Sequence, residues 1–342
     1  MTTPPSTSRA TPPTTPPKTP QVTPSATPAT AVRTADFLDS SALLGDPAAL
    51  RARADEHGYL FFRGLLPVDD VLDLRRRFLQ IVRRYGWLVD GTPVSDGIAD
   101  VAAFDRVPRE ETAFCGVGIT RAAYADVQRV RQFHELAHHP RLLAVYRDLF
   151  GADVLPHPRN IARVVIPGGG TRPTPPHQDF IHIQGTPRVW TAWFPLGDCP
   201  RELGGLSVLD GSHREGLMSY HAAEGAGGLE AYLCDLDLAW AQGDFTAGDV
   251  LTFSSHTVHR ALPHAAGDRV RLSCDYRYQP AADPLHEGSL RVHCDVLDWE
   301  EVYAEWPDPQ DPRDDVRWYW RDLDLRRSEW DESIRWQKDR IC

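Results

Sequence analysis

From about Val154 the chain is cut into short apolar segments by Gly, Pro, Asp and Asn: NIARVVI (160–166), RVWTAWFPL (188–196), GGLSVL (204–209), GDVLTF (248–253) and RVRLSCDYRYQ (269–279). Each has the length of a strand, and turn chemistry rather than helical pattern separates one from the next. Strands in such succession pack as a β-sandwich or barrel and not as alternating βαβ units. This punctuation constrains the fold more than any other feature of the sequence.

The first half reads differently. HGYLFFRGLLP (57–67) is an apolar, strand-like run with Gly on each side, and a helical pattern follows it. Val71, Leu74, Phe78, Ile81, Val82 and Tyr85 recur at helical spacing, with Asp69 and Asp70 at the positive end of the helix dipole and Gly86 at the close. Further helical patterns cover 121–138 and 141–150, the second closed by Gly151. Residues 1–34 are mostly Pro, Thr, Ser and Ala and cannot bury enough apolar surface to offset the entropy of ordering, so a disordered tail is expected there. The remainder, 35–342, is expected to form one domain: a helical part over 35–150, a β core over 151–298 and a Trp-rich extension over 299–342. Trp299, Trp306, Trp318, Trp320, Trp330 and Trp336 in that extension read as packing anchors on helices laid over the core.

Charge and cysteine usage narrow the function. A net charge of -11 argues against a hold on nucleic acid or on an anionic membrane, both of which need clustered positive charge. A small-molecule partner is expected instead. The cysteines at 115, 199, 234, 274, 294 and 342 are scattered without a CxxC pair, and a chain of 342 residues needs no staple, so free thiols are expected. No leader-like or membrane-spanning run is found, and the expected location is the cytoplasm.

The chemistry is concentrated in two stretches. TPPHQDFIH (174–182) holds His177 and Asp179, which share a face if the segment is extended, with Gln178 pointing away. An imidazole and a carboxylate together suit a first-row transition metal, but His-x-Asp alone is common and needs a third ligand. GDVLTFSSHTVHRALPH (248–264) offers His256 and His259, which an extended chain puts on opposite faces, so that one of them joins the pair. The strand after it alternates Arg269, Arg271, Ser273, Asp275 and Arg277 with Val270, Leu272, Cys274, Tyr276 and Tyr278. Arginines facing inward require an anionic partner, because an unpaired buried charge is costly.

The order His177-x-Asp179, Gly204-Gly205, GSH (211–213), GDVLTF, His259 and then Arg269 to Ser273 resembles the phytanoyl-CoA dioxygenase family of iron(II)- and 2-oxoglutarate-dependent oxygenases. The resemblance covers roughly 35–300. It implies a mainly β fold with flanking helices, a double-stranded β-helix (jelly-roll, cupin-like) core with N-terminal helices packed on it. It further implies His177, Asp179 and His259 as iron ligands, with His256 a neighbour. Arg269 or Arg271 is implied as the anchor of 2-oxoglutarate, with Ser273 adding a hydroxyl donor and Thr191 in the pocket. Pro263-His264 stands where the family usually has Pro-Asn, Asp210 replaces a Pro ahead of GSH, and Pro176 stands where a Trp is frequent.

Two imidazoles and one carboxylate leave adjacent positions open on iron for the 2-oxo acid and dioxygen. The resemblance therefore implies oxidation of a C–H bond with release of succinate and CO2. Related halogenases carry a small residue in place of Asp179, so its carboxylate implies oxygen rather than halogen transfer. Trp190 and Trp193 fit either the pocket or the core, and His182 and His213 fit the rim. Two other classes use the same residues: a catalytically silent jelly-roll binding module, and a zinc hydrolase that would leave the arginines unexplained. A secondary metabolite is the expected substrate.

Overall fold

Every residue of Tyr59–Phe62 is buried, yet neighbours go to different places. Tyr59 and Phe61 join Trp193, Leu251 and Phe253 in one apolar cluster, whereas Leu60 and Phe62 join a second, helix-rich cluster. Successive side chains leave a strand on opposite faces, so this strand lies in a sheet covered on both sides. The computed structural model in which this is seen describes residues 32–168, 172–233, 236–311 and 315–336.

In chain order the strands are β1 (Thr34–Asp36), β2 (Tyr59–Phe62), β3 (Val154–Pro156), β4 (Ile161–Val165), β5 (Trp190–Pro195) and β6 (Leu206–Leu209). They continue as β7 (Tyr220–Ala222), β8 (Leu229–Ala231), β9 (Trp240–Gln242), β10 (Val250–Ser254), β11 (His259–Ala261) and β12 (Arg271–Pro280). A major sheet has the order β2-β10-β5-β12-β3, with β4 also paired to β12, and a minor sheet has the order β1-β9-β6-β11. Phe61, Trp193 and Leu251 of the major sheet pack on Leu206, Val208 and Ala241 of the minor one. Consecutive strands alternate between the sheets, from β5 to β6 and from β9 through β10 and β11 to β12. This is the expected jelly-roll core.

The outer face of the major sheet takes up the helices α1 (Pro47–His57), α2 (Val68–Arg84), α3 (Val101–Phe104), α5 (Arg121–Gln128), α6 (Arg131–Glu135) and α7 (Pro140–Phe150), while α4 (Arg109–Thr112) lies between α3 and α5 in the chain. On α2 the expected stripe of Val71, Leu74, Phe78, Ile81 and Val82 is buried, joined by Leu79. β12 shows best what this layering does. Leu272, Cys274, Tyr276 and Tyr278 enter the helical cluster, and the Tyr276 and Tyr278 hydroxyls donate to the carbonyls of Phe133 (2.6 Å) and Ala137 (2.8 Å). Its other face, Arg271, Ser273, Asp275 and Arg277, is thereby turned between the two sheets, and it too is buried.

Three expectations are corrected. The pattern over 121–138 is not one helix: it breaks between α5 and α6, where the Gln128 carbonyl accepts from the His134 imidazole (2.8 Å) and Val130 turns extended. In the extension over 299–342 the described helical pieces are only α9 (Trp299–Tyr303, after the four-residue α8 at Phe180–Ile183) and a short 3-10 turn at Glu332–Trp336. Pro307 and Pro309 interrupt helical hydrogen bonding there. Trp299 and Trp306 nonetheless anchor, Trp299 Nε1 donating to the Leu290 carbonyl and Trp306 Nε1 to that of Arg129, each at 2.8 Å. Lastly, Cys115 and Cys294 are joined in a disulfide across 179 residues of sequence, and Cys199 and Cys274 are free and buried. Nothing in the spacing of the cysteines signals that pairing, because only the tertiary fold brings the two loops together. Cys234 and Cys342, and the expected tail up to residue 31, lie outside the described residues; Thr34 already belongs to β1. Among the described residues no helix is long and apolar enough to cross a membrane.

Candidate metal centre

His177 and His259 face each other across a short antiparallel bridge, each donating its backbone N–H to the other's carbonyl at 3.0 and 2.9 Å. Asp179 reaches the same point by a different route from the one expected. It is not on a strand: its backbone is helical (φ −62°, ψ −31°) and starts α8. A turn, not strand alternation, brings its carboxylate round. Asp179 Oδ1 then lies 3.9 Å from Nε2 of each histidine, and one ligand atom from each of the three falls within 4.8 Å of the others. All three side chains are buried.

The turn is held by Gln178, which points away from the site as expected and is fully buried. Its amide donates to the Gly216 (2.8 Å) and His256 (2.7 Å) carbonyls, and its Oε1 accepts from Met218 N and Tyr220 Oη, both at 2.8 Å. Every polar atom of that side chain is therefore satisfied.

Each imidazole is oriented by its far nitrogen. His177 Nδ1 lies 2.8 Å from the Pro175 carbonyl and His259 Nδ1 lies 3.1 Å from that of Thr257. A carbonyl only accepts, so Nδ1 carries the proton and the Nε2 lone pair faces Asp179. Burial lowers the pKa of both, that of His259 to about 3, so both imidazoles are neutral at pH 7. Burial would raise Asp179, but Arg277, the two imidazoles and the Thr191 hydroxyl outweigh it and hold the carboxyl well below the usual range. Thr191 Oγ1 donates to Asp179 Oδ2 (2.6 Å), and Arg277 reaches the carboxylate through Nε (3.3 Å) and Nη2 (3.1 Å). Thr191 on β5 and Arg277 on β12 are register partners, which is why both arrive at one carboxylate.

Of the two arginines left open by the sequence, only Arg271 turns inward. It is 6% exposed, its Nη1 donates to Ser273 Oγ (2.7 Å), and its Nε is buried without a hydrogen-bond partner. Arg269 is exposed, and its backbone carbonyl accepts from His264 Nε2 (2.7 Å). Thr191 sits on Asp179 and not beside Arg271. His256 packs on Phe180, outside the group of three, while Trp190 and Trp193 belong to the apolar core. His182 lines the cavity next to His177, whereas His213 bonds the Asp55 carbonyl (3.0 Å) elsewhere. Sequence reasoning gave Arg277 no role, although its place on the Arg-x-Ser-x-Asp-x-Arg face was the available signal.

The donors fit the implied groups. Two neutral imidazole nitrogens and one carboxylate oxygen, buried and converging, are a set suited to iron(II), and the buried Arg271 guanidinium, bonded to Ser273 through Nη1 and with Nε free of hydrogen bonds, suits the distal carboxylate of a 2-oxo diacid. A jelly roll that carries this face between its sheets, with an inward arginine on β12, the next strand of the chain after that of His259, defines a non-haem iron oxygenase dependent on 2-oxoglutarate. The chain belongs to the phytanoyl-CoA dioxygenase (PhyH) family, whose family model matches residues 54–271. It is thus an oxidoreductase whose class uses iron(II), 2-oxoglutarate and dioxygen.

Among curated proteins it is similar to the 1-deoxypentalenic acid 11-beta-hydroxylase of Streptomyces arenae, 28% identical over 271 residues that cover 74% of this chain and 88% of that one. The enzyme of the same name from Streptomyces exfoliatus is 26% identical over 268 residues, with the same two shares. Among solved structures, the epimerase SnoN in complex with Fe3+, alpha ketoglutarate and nogalamycin RO is 21% identical with a TM-score of 0.47, over 70% of this chain and 87% of that one.

Proposed function

We propose that the protein oxidises a C–H bond of a small-molecule secondary metabolite, by hydroxylation or a related outcome, while 2-oxoglutarate is converted to succinate and CO2. The observation that carries this reading is the convergence of His177, Asp179 and His259 on one buried point, with Arg271 and Ser273 buried on the inward face of β12. Iron bound there supplies the oxidising chemistry. The protein's own residues do the rest. His177, Asp179 and His259 would hold the metal through two imidazole nitrogens and one carboxylate oxygen. Arg271 grips the distal carboxylate of 2-oxoglutarate in a fork that lysine cannot match, with the Ser273 hydroxyl beside it. Thr191 and Arg277 fix the plane of the Asp179 carboxylate. With a carboxylate in that place no halide position is freed, so oxygen transfer is the expected outcome.

The Streptomyces relatives, hydroxylases of 1-deoxypentalenic acid by name, support a natural-product substrate for this chain as well. The net charge of -11 supports a small-molecule partner over nucleic acid. The test is anaerobic addition of iron(II) and then 2-oxoglutarate to the purified protein, followed by a metabolite panel scored for stimulated succinate release. A weak visible absorption band that appears only with both additions, and that is lost in His177→Ala, is expected. A protein that purifies without iron, binds no 2-oxoglutarate and behaves identically after His177→Ala would be a silent binding module instead.

A further inference from the structure

Beside the metal ligands lies a cavity of about 450 Å³, whose wall includes His177 and Asp179 and also Arg159, Arg163 and Arg277. That volume is in the range of small-molecule sites, but three guanidinium groups in one such wall are far more cationic than an apolar substrate needs. Two of the three already have acidic partners: Arg277 pairs with Asp179 (3.1 Å), and Arg163 lies 3.4 Å from Asp275 while donating to the Gly116 carbonyl (2.8 Å). Arg159 is different. Its guanidinium donates to the Gly288 carbonyl (2.8 Å), and among the described residues no carboxylate lies within 4.0 Å of it.

Around the metal centre and the adjoining cavities, half-buried Arg159 and Arg163 and buried Arg271 and Arg277 contribute four positive charges, and buried Asp179 and Asp275 contribute two negative ones. An iron(II) ion adds two positive charges and 2-oxoglutarate removes two, so the loaded site keeps an excess of about two positive charges. Asp295 acts on Arg159 only from beyond ion-pair distance and leaves an excess of about one. The cavity's neutral histidine, His293, registers the same field: burial lowers its pKa, and Arg159, Arg163 and Arg277 depress it further. An uncharged substrate that filled this half-open cavity would shut water away from that excess and leave it unpaired, which is costly.

We propose that Arg159 is a specificity-determining residue that docks a carboxylate carried by the substrate, so that the protein acts on small-molecule acids and positions them by that group. This rests on the oxygenase reading and names its substrate class. The remainder of the wall suits the rest of such a molecule, since Ala113, Ile161, Ile183 and Ala226 offer apolar surface and Gly225 and Gly227 leave room. A guanidinium takes a carboxylate through two parallel hydrogen bonds, which fixes orientation as well as affinity. The C–H bond presented to the metal is then set by its distance from the carboxylate.

The test uses the iron-loaded protein saturated with 2-oxoglutarate and without oxygen. Three matched pairs serve as probes: 1-adamantanecarboxylate, cyclohexanecarboxylate and benzoate, each against its primary carboxamide. Binding is read by calorimetry and by perturbation of the visible band. The carboxylate is expected to bind at least about tenfold tighter than its amide in one or more pairs, equivalent to about 1.4 kcal/mol. Arg159→Gln should abolish that preference, Arg159→Lys should restore part of it, and neither should change 2-oxoglutarate affinity, which also reports that the variants are folded. The proposal is overturned if no pair shows a carboxylate advantage, binding of neither member included. It is equally overturned if the advantage survives Arg159→Gln, or if the acids displace 2-oxoglutarate and so occupy the Arg271 site. Should iron and 2-oxoglutarate fail to bind while the acid preference persists and depends on Arg159, the oxygenase reading fails and the anion site stands.

Discussion

At Asp179 one carboxylate oxygen faces two imidazoles and the other is held by Thr191 at 2.6 Å, with Arg277 spanning both. Groups that orient a ligating carboxylate commonly change metal affinity about 10–100-fold when removed. Thr191→Val, which keeps the shape and loses the donor, is therefore expected to weaken iron binding by about that factor in a chelator competition, with Thr191→Ser close to the parent. At Arg271 the consequence falls on the co-substrate. Losing a charge-assisted, bidentate contact costs about 1.5–3 kcal/mol, so Arg271→Lys should raise the KM for 2-oxoglutarate about 10–100-fold in succinate assays. Arg269→Ala should leave it unchanged, because that side chain is exposed. The residue types at all these positions were legible in the sequence. Their assignments were not, because Arg269 and Arg271 share a face of any extended strand, and what separates them is where β12 begins: the strand starts at Arg271 and leaves Arg269 exposed before it.

At the scale of the element, the amphipathic helix and the alternating strand were readable in advance, and the turn at 177–179 was not. The stripe of α2 is buried as its spacing required, and β12 buries apolar residues on one side and charged ones on the other. A strand was also expected through His177 and Asp179. What prevails is the buried Gln178 amide, whose four bonds draw on the carbonyls of Gly216 and His256, Met218 N and the Tyr220 hydroxyl, groups 38 to 78 residues away. Local pattern cannot anticipate partners so distant. Gln178→Ala should cost about 2–4 kcal/mol in urea unfolding, the sum of several buried hydrogen bonds, and should also weaken iron binding by loosening the turn. Gly118 makes a sharper backbone test. Its φ is +89° and a Cβ there would lie 2.2 Å from the Val164 carbonyl oxygen, so Gly118→Ala must displace β4, and a loss of more than about 2 kcal/mol is expected.

For the whole molecule, buried neutral histidines outside the metal centre set the acid limit of stability. Burial lowers both His134 and His157 to about 4, with His134 bonded to the Gln128 carbonyl and His157 Nε2 to Gln279 Oε1. Their folded pKa lies below the ordinary value near 6.5, so the unfolded chain takes up the proton first. Their stabilising effect is complete above about pH 6.5 and is lost as pH falls toward 4, by up to about 3 kcal/mol for each histidine. Urea midpoints of the metal-free protein should be flat from pH 7 to 8 and fall steeply from 6.5 to 4.5, and His157→Gln should shallow that fall. By itself the sequence determined the succession of helices and strands, the His-x-Asp and distal His that could ligate a metal, and the arginine-bearing strand. These are local patterns with periods of 2 and 3.6 residues or short motifs in a set order. Only the tertiary structure decided that Arg271 rather than Arg269 lies inside, that Thr191 and Arg277 grip Asp179, that Cys115 meets Cys294, and that Arg159 faces the cavity with no acidic partner in ion-pair distance among the described residues. Each of these depends on where a strand begins, on register, or on contact between distant segments, and packing alone settles them.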